Sequence, residues 1–301
     1  MATERVRVRV GERELSLSNL DKPMFPDLTK GEMIDYYTRI APVLLPHLAG
    51  RPLTRKRYPN GAAAGSFFEK NAPSHTPDWV RTVTLPVPGS TMDRETVDFV
   101  VVDELATLVW LANLAALELH VPQWRVDGDD AAQPPDLIVF DLDPGPPAGL
   151  TECFAVALAL REELAADGIT AYPKTSGRKG MQLLCPIAST QPAPVVSGYA
   201  KRLAHRLAQH DPDRVVDRMT RSLRPGKVFI DWSQNNAAKT TVAPYSLRAG
   251  AAPMVSLPLH WAEVEAGRPV TGGPAAALSR MDSDGDLLAG LTEPGPRVPE
   301  E

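Results

Sequence analysis

The chain of 301 residues has little cysteine, no long apolar run and no excess of positive charge. Its two cysteines, Cys153 and Cys185, are too few for a disulfide framework, which fits a reducing cytoplasm. No apolar stretch reaches the length of a membrane span, and the first residues lack the pattern of a signal peptide. The six histidines form no zinc spacing with a cysteine. We therefore expect a cytoplasmic protein that works outside the membrane.

The charge balance is mildly acidic, with a net charge of −5 and a pI of about 5.7. This balance argues against indiscriminate binding to nucleic acid, which usually needs a basic domain. It leaves room for a local basic groove on an acidic body. The sequence contains no internal repeat and no clear linker, so we expect a single compact unit over residues 1–290, followed by a flexible tail over 291–301.

Two carboxylates end an apolar strand predicted near the middle of the chain. Asp141 and Asp143 follow the run 137–140, and side chains two residues apart on a strand share one face, about 6.5–7 Å apart at Cα. Two interpretations remain open. The carboxylates could hold a pair of divalent metal ions for phosphoryl transfer, or they could belong to a solvated Asp-Pro-Gly turn. Asp231 ends a second apolar strand and could complete a metal site.

Hydrophobic periodicity and turn residues predict the main elements. Alternation on either side of Gly11 predicts a strand pair over 4–17. The other predicted elements are a helix from about residue 30 to 50, a strand over 97–102, helices over 104–119, 151–168 and 195–210, and at most one more helix in the last fifty residues, near Trp261.

A capping box formed by Thr29 and Glu32 predicts the start of the helix that begins near Lys30. Free N–H groups and the helix dipole make such a first turn attractive to an anion. Lys22 and Asn19 lie in the loop that leads into it. The pattern is typical of a phosphate site, but equally of a well-capped helix with two exposed lysines.

The densest basic segment, residues 51–59, is followed by Phe67 and Phe68. Cations interleaved with aromatic rings suit single-stranded or gapped nucleic acid. The alternative is that the two phenylalanines lie in the core and the cations face water. Further along, the glycine-flanked turn 175–180 could present N–H groups and a cation to a triphosphate, although it is not a P-loop.

Taken together, these motifs resemble the polymerase domain of bacterial DNA ligase D, in the archaeo-eukaryotic primase superfamily. The resemblance extends from about residue 15 to 290. It rests on NLDK (19–22), DYY (35–37), RKRYPNG (55–61), FFEK (67–70), HVPQW (120–124), DLDP (141–144), TSG (175–177), GKVFIDWSQN (226–235) and PYSLR (244–248).

The resemblance implies an α/β (α+β) primase-type catalytic fold, with two mixed β-sheets around a central active-site cleft and helices outside. It implies a DNA-directed nucleotidyltransferase, or primase-polymerase, that fills gaps and extends ends in non-homologous end joining, with a preference for ribonucleotides. The expected cofactors are two Mn²⁺ or Mg²⁺ ions, and the substrate is a nucleoside triphosphate (NTP or dNTP). The expected partners are gapped or broken double-stranded DNA with a 5′-phosphate, Ku protein and a DNA ligase, in the nucleoid of a bacterial cytoplasm.

The resemblance also implies a role for individual residues. The catalytic and metal-binding carboxylates are Asp141, Asp143 and Asp231. The residues that contact the incoming nucleotide are Lys56, His120, Ser176, Lys179, Arg224, Gln234 and Arg248. The DNA 5′-phosphate is assigned to Asn19, Lys22 and Lys30, and template stacking to Phe67 and Phe68.

Two departures from the family pattern keep alternatives open. Gln182 stands where the family usually has histidine, and glutamine cannot carry charge near neutral pH. No ligase or nuclease domain follows, and the initial Met1 with the predicted loose tail suggests a stand-alone polymerase. The alternatives are a metal-dependent phosphodiesterase or nuclease, and a catalytically weak DNA-end-binding scaffold.

Overall fold

The computed structural model describes residues 5–87 and 95–300, which form seventeen β-strands and six α-helices. The strands are β1 Arg5–Val10, β2 Arg13–Ser18, β3 Pro23–Phe25, β4 Leu28–Thr29, β5 Pro52–Arg57, β6 Phe67–Glu69, β7 Thr82–Pro86, β8 Thr96–Val101, β9 Ala116–Val121, β10 Leu137–Pro144, β11 Tyr172–Thr175, β12 Met181–Pro186, β13 Val215–Val216, β14 Val228–Asp231, β15 Thr241–Val242, β16 Leu247–Arg248 and β17 Met254–Val255. The helices are α1 Lys30–Leu48, α2 Leu105–Asn113, α3 Leu150–Ala166, α4 Ala193–His210, α5 Trp261–Glu265 and α6 Pro274–Asp284.

Two larger sheets organise the molecule. A five-stranded sheet has the order β11-β12-β10-β14-β13, in which β13 runs parallel to β14 and the other neighbours are antiparallel. A six-stranded sheet has the order β15-β9-β5-β8-β7, with β6 added to β5, and its pairings are antiparallel. The predicted mixed α/β architecture is therefore confirmed.

Each large sheet has its own hydrophobic core. Helices α1 and α2 pack over the six-stranded sheet, and α3 and α4 pack against the five-stranded sheet. In β10, Phe140 and Leu142 point into the core beneath α3 and α4. Because successive side chains of a strand point to opposite faces, Asp141 and Asp143 lie on the face away from these helices. The alternation of one strand thus places both carboxylates outside the core.

The predicted strand pair around Gly11, the helix from residue 30, the strand near 97–102 and the helix near 195–210 are confirmed as β1–β2, α1, β8 and α4. The capping box of Thr29 and Glu32 is present. The C-terminal fifty residues contain two helices, α5 and α6, so the prediction of at most one was wrong.

The helix predicted over 104–119 was also wrong. It ends at Asn113, Ala115 takes a positive φ of 59°, and the chain continues as strand β9 inside the six-stranded sheet. Residues in both parts are buried, and a short apolar run does not distinguish a buried helix from a buried strand by periodicity. This difference matters for the site, because β9 carries two of its residues.

The segment predicted as a tail begins inside a short 3₁₀ helix, Ala289–Thr292. Further on, the side chain of Val298 is buried. Gln191 exchanges two hydrogen bonds with the backbone of Val298, at 2.8 and 3.0 Å. Across residues 5–87 and 95–300, no helix is long and apolar enough to cross a membrane.

Candidate active site

A row of polar side chains crosses the face of the five-stranded sheet that is opposite helices α3 and α4. Lys174 on β11 is opposite Gln182 on β12, Gln182 is opposite Asp141 on β10, and Asp141 is opposite Asp231 on β14. Directly opposite residues point to the same side of a sheet, with Cα atoms about 4.5–5.5 Å apart. The register of three strand pairs therefore assembles residues that are far apart in the sequence.

Hydrogen bonds connect most of this row. The Nε2 of Gln182 donates to Oδ1 of Asp141 at 3.0 Å, and its Oε1 accepts from the Nζ of Lys174 at 2.5 Å. Burial lowers the pKa of Lys174 to about 7, with a further contribution from Arg248. Neither Lys174 nor Gln182 is among the predicted site residues, although Gln182 is one of the two departures from the family pattern.

The carboxylates of Asp141 and Asp143 repel each other. Burial and the charge of Asp143 raise the pKa of Asp141 to about 7, while the hydrogen bond from Gln182 and the charge of Lys174 oppose this shift. Burial and the charge of Asp231 raise the pKa of Asp143. Hard divalent cations prefer carboxylate ligands, and such a cation would relieve this repulsion. The donor set thus fits Mn²⁺ or Mg²⁺.

Asp231 is already held by neighbours on its own chain segment. Its Oδ1 accepts from the N–H of Ser233 at 3.1 Å and from the hydroxyl of Ser233 at 2.5 Å, and its Oδ2 accepts from Nε2 of Gln234 at 2.8 Å. In the part of the chain that the structure describes, no three His, Cys, Asp or Glu side chains are arranged so that they could hold an ion by themselves. The three aspartates share a face without closing a coordination sphere.

An open cleft of about 860 Å³ lies in front of the carboxylates. The predicted site residues that line it are His120, Asp141, Asp143, Ser176, Lys179, Gln234 and Arg248. Arg224 is outside this lining, but its guanidinium lies 3.9 Å from the ring centre of Phe229, the residue opposite Asp143. The charge of Arg224 lowers the pKa of Asp143, which places this cation beside the acidic row.

Glu118 on β9 is a buried acid at the centre of the basic side of the cleft. The donors that contact its carboxylate are Tyr58 (2.7 Å), Arg248 (3.0 Å), His120 (3.1 Å), Arg178 (3.2 Å) and the N–H of Ala249 (3.2 Å). Burial alone would raise the pKa of Glu118, but the hydrogen bond from His120 and the charge of Arg248 hold it well below its usual range. Because a carboxylate only accepts, Nε2 of His120 carries the hydrogen in this contact.

Sequence reasoning missed Glu118 and Arg178. The helix predicted over 104–119 would include Glu118 and end before His120, so it gives no reason to place these two residues on one face. On a strand these two residues, being two apart, share a face. The signal that could have found Glu118 is a lone acid in an otherwise apolar stretch, two residues before a histidine.

The aromatic pair lies at the edge of the basic side. Phe67 and Phe68 are 45% and 59% exposed, whereas Arg55 on the adjacent strand is 0% exposed and bonded to Glu69 at 2.7 Å. The alternative, in which the phenylalanines lie in the core and the cations face water, therefore does not hold for these three residues: both rings are exposed and Arg55 is buried. The ammonium of Lys56 lies 5.2 Å from the ring centre of Phe68. An exposed ring beside a cation is suited to stacking on a base.

The predicted 5′-phosphate residues come together, but the first turn of α1 has no free N–H groups at its start. The N–H of Lys30 donates to the carbonyl of Lys22 (2.8 Å), that of Gly31 to Leu20 (2.8 Å), and that of Glu32 to the hydroxyl of Thr29 (3.2 Å). The expectation of free donors was wrong, because the preceding loop folds back onto them. Any anion here must be held by side chains.

Three cationic side chains, Lys30, Lys22 and Arg57, lie close together at this position. Lys30 is only 4% exposed, and its Nζ donates to the carbonyl of Ser18 at 2.5 Å. Burial lowers the pKa of Lys30 to about 8, together with the charges of Lys22 and Arg57. Asn19, with φ of 54°, turns the chain so that its carbonyl accepts from the N–H of Lys22 at 3.1 Å. Three crowded cations of this kind attract an anion.

Comparisons with known proteins identify the family of the chain. Residues 29–288 match the family model of the LigD primase-polymerase domain. The chain belongs to the LigD primase-polymerase domain family. It is 43% identical over 93% of its length to the multifunctional non-homologous end joining protein LigD of Mycolicibacterium smegmatis, and 41% identical over 95% to the LigD of Mycobacterium bovis.

A solved structure supports the same assignment. The polymerase domain of Mycobacterium tuberculosis ligase D, in complex with DNA, matches with a TM-score of 0.88 and 40% identity, covering 94% of this chain and 99% of that one. The chain spans 36% and 38% of the lengths of the two LigD relatives. The chain therefore corresponds to the primase-polymerase part of these end-joining relatives.

Proposed function

We propose that this domain adds nucleotides to the 3′ end of DNA at gaps and breaks, using Mn²⁺ or Mg²⁺ and preferring ribonucleoside triphosphates. The observation that carries the proposal is a single cleft that is lined both by the carboxylates Asp141 and Asp143 and by the cations Arg178, Lys179 and Arg248. The related Mycobacterium tuberculosis domain is in complex with DNA, and the full-length relatives are end-joining proteins, which supports a broken or gapped DNA substrate. Ku protein and a DNA ligase would be the partners in repair.

Asp141 and Asp143 would hold both ions, and Asp231 would serve the side of the attacking 3′-hydroxyl. When bound, the ions make that hydroxyl more acidic and neutralise charge on the triphosphate and the leaving pyrophosphate. Ser233 and Gln234 orient the carboxylate of Asp231 through the hydrogen bonds described above. Gln182 does the same for Asp141.

The triphosphate would lie against the turn that contains Ser176 and Lys179. Gly177 in this turn has φ of 71°, and a Cβ on it would lie 2.5 Å from Cγ of Arg248, so only glycine allows this close approach. Nε of Arg248 is buried and has no hydrogen-bond partner in the described structure. A phosphate oxygen would satisfy such a donor. Lys56, His120, Arg224 and Gln234 would contribute the remaining nucleotide contacts.

Lys22, Lys30 and Asn19 would hold the 5′-phosphate at the downstream edge of a gap. Support comes from the mutual crowding of the cations, since burial and the charges of Lys22 and Arg57 lower the pKa of Lys30, and a phosphate would relieve the repulsion between these charges. Phe67 and Phe68 would stack on template bases.

Primer extension on gapped DNA with Mn²⁺ tests the proposal. We expect Asp141→Ala and Asp143→Ala each to reduce nucleotide addition by more than about 100-fold, because each removes an expected ligand of both ions. Asp35→Ala, which removes an exposed carboxylate from α1, is the matched control and should remain fully active. Full activity of both active-site variants would contradict the proposed mechanism.

A nuclease would also use clustered aspartates, but it has no need of a triphosphate turn. Incubation of labelled DNA with metal and without nucleotides distinguishes the two activities. We expect no shortening of the DNA under these conditions, and extension once a nucleoside triphosphate is added. Extension with ribonucleotides should exceed that with deoxyribonucleotides.

A further inference from the structure

Lys174 is a buried cation whose ammonium bonds to two residues of the cleft lining, the side chain of Gln182 and the backbone of Val242. The residue is 0% exposed, and its three hydrogen bonds go to Gln182 (2.5 Å), Ser256 (2.7 Å) and the carbonyl of Val242 (3.1 Å). None of these three partners is a carboxylate. Burial of a cation without a paired acid costs free energy, so its presence calls for a role that an apolar residue would not fill.

The contact between Lys174 and Gln182 determines which way the amide of Gln182 faces. An amide has one accepting end and one donating end, whereas an ammonium can only donate. Lys174 therefore holds Oε1 of Gln182 towards itself. The NH₂ group must then face the opposite strand, where it donates to Asp141 at 3.0 Å.

Without the ammonium, the amide of Gln182 could rotate and present its oxygen to Asp141. Two oxygens would then face each other, and the carboxylate would have to turn away. Gln182 lies on the strand between β11 and β10, so Lys174 reaches Asp141 through this amide and not by a hydrogen bond of its own. The positions in register make the relay a straight line across the sheet.

We propose that Lys174 is a positioning residue that acts through Gln182 to fix the carboxylate of Asp141 in the orientation needed to bind a divalent metal ion. This inference rests on the proposed function, because it requires Asp141 to be a metal ligand. It assigns to Gln182, which stands where the family usually has histidine, a role as the middle of a lysine–amide–carboxylate relay.

Binding of Mn²⁺ to the full chain, without DNA or nucleotide, tests the relay. Free Mn²⁺ is measured by electron paramagnetic resonance at constant pH during titration. We expect Lys174→Met, which keeps the length and removes the donor, to weaken binding about 10-fold or more, as loss of outer partners of metal ligands typically does. Gln182→Leu should weaken it to a similar extent. Unchanged binding in either variant would overturn the relay.

The double variant Lys174→Met with Gln182→Leu distinguishes the relay from a direct effect of charge. If Lys174 acts through Gln182, its removal has no further effect once Gln182 is gone, so the double variant should bind Mn²⁺ like Gln182→Leu alone. If the ammonium acts on Asp141 directly through space, the effects of the two substitutions should add. Additive effects would overturn the proposal.

Two controls complete the design. Ser256→Ala removes another hydrogen bond of Lys174 and leaves the contact with Gln182, so it should bind Mn²⁺ within about two-fold of wild type. An effect of Ser256→Ala as large as that of Lys174→Met would indicate general loosening and overturn the relay. If Lys174→Met does not fold, Gln182→Leu tests the same link from its other side.

Asp141→Asn separates failure of the relay from failure of the proposed function. Loss of Mn²⁺ binding in this variant, together with normal binding in Lys174→Met, would overturn the relay alone. Absence of Mn²⁺ binding in the wild-type protein would overturn the metal site and the relay together.

Discussion

Two carboxylates near the cleft, Asp141 and Glu118, have pKa values that are shifted in opposite directions. Asp141, on the five-stranded sheet, is partly buried and its pKa is raised to about 7. Glu118, on the six-stranded sheet, is 1% exposed and its pKa is held below the usual range. The more deeply buried acid is thus the more acidic one. Burial raises the pKa of both acids, but the charges of Asp143 and Asp231 add to this shift at Asp141, whereas the donors around Glu118 outweigh it.

The comparison also separates two functions for a buried acid. The charge of Glu118 is paired within the protein, because its carboxylate contacts Arg248, Arg178 and His120. Asp141 accepts a hydrogen bond from Gln182, but the charges of Asp143 and Asp231 repel it, and the charge of Lys174 only partly offsets this repulsion. Its charge is therefore not satisfied within the protein. An acid of the first kind stabilises the fold, and one of the second kind is available to a cation.

The largest expected effect is on stability, at Glu118. Glu118→Ala should lower the free energy of unfolding by about 3–5 kcal/mol, because it leaves the buried guanidinium of Arg248 without its acid. Urea denaturation followed by circular dichroism measures this change. Asp35→Ala is the control and should change stability by less than about 0.5 kcal/mol. If Glu118→Ala lowers the free energy of unfolding no more than Asp35→Ala does, Glu118 does not stabilise the fold and the proposed difference from Asp141 is wrong.

Asp141→Asn should have the opposite effect in metal-free protein. Above the raised pKa of about 7, the wild-type carboxylate is ionised, and its repulsion from Asp143 opposes folding. Removing the charge should therefore stabilise the metal-free protein in mildly alkaline buffer, by about 1–3 kcal/mol. The gain should shrink as the pH falls from about 7 towards about 4, since the folded wild type then takes up a proton that the unfolded chain does not. Urea denaturation across this pH range measures it, and a variant less stable than wild type would contradict the expectation.

Added Mn²⁺ should make the wild-type protein more stable than Asp141→Asn. At a concentration about 100 times its dissociation constant, a bound ion stabilises the folded wild type by about 2.7 kcal/mol. Asp141→Asn should gain much less, because it lacks one expected ligand. Thermal unfolding with and without Mn²⁺ measures both effects. An equal gain in the two proteins would place the metal elsewhere.

The aromatic edge of the basic wall gives a smaller expected effect. Phe68→Ala should weaken binding of gapped DNA by about 1–2 kcal/mol, the typical value for one base stacked on an aromatic ring. Fluorescence anisotropy with a labelled gapped duplex measures the change. Met219→Ala, which removes another exposed apolar side chain, serves as the control. Equal losses in the two variants would argue against stacking at Phe68.

The smallest expected effect concerns pH at Lys30. With a pKa of about 8, Lys30 is mostly charged one pH unit below this value and mostly neutral one unit above it. The preference for gapped DNA with a 5′-phosphate over gapped DNA with a 5′-hydroxyl should therefore fall about three- to tenfold over this range. Binding of both substrates at each pH measures it. Lys30→Met should show a weak preference that does not change with pH, and a pH-dependent preference in that variant would point to another group.

Several parts of the site could be predicted from local patterns. The alternation and charge of residues 137–143 indicate a strand that ends in two carboxylates on one face, and β10 has this form. The capping box at Thr29 locates the start of α1. Both features depend only on residues close in the sequence. The two-residue repeat of a strand and the hydrogen bonds of a helix cap are local, so a sequence pattern is enough to predict them.

Other parts could not be predicted, because they depend on contacts between distant segments. The N–H groups at the start of α1 are occupied by a loop that folds back, and no local pattern indicates that loop. Glu118 was missed because its buried segment has no periodicity that separates strand from helix. Lys174 carries no signal, since its partner Gln182 is on the next strand and its role depends on strand register.

The order of the amino acids specifies the family, the identity of the acids and cations, and the faces on which strand residues lie, because these follow from residue chemistry and the two-residue repeat of a strand. Which of these groups become neighbours depends on how the strands pair. The register of β11, β12, β10 and β14 brings Lys174, Gln182, Asp141 and Asp231 into one row. Since the pKa of a group depends on charges within a few ångströms, ionisation and metal affinity are properties of that assembled row.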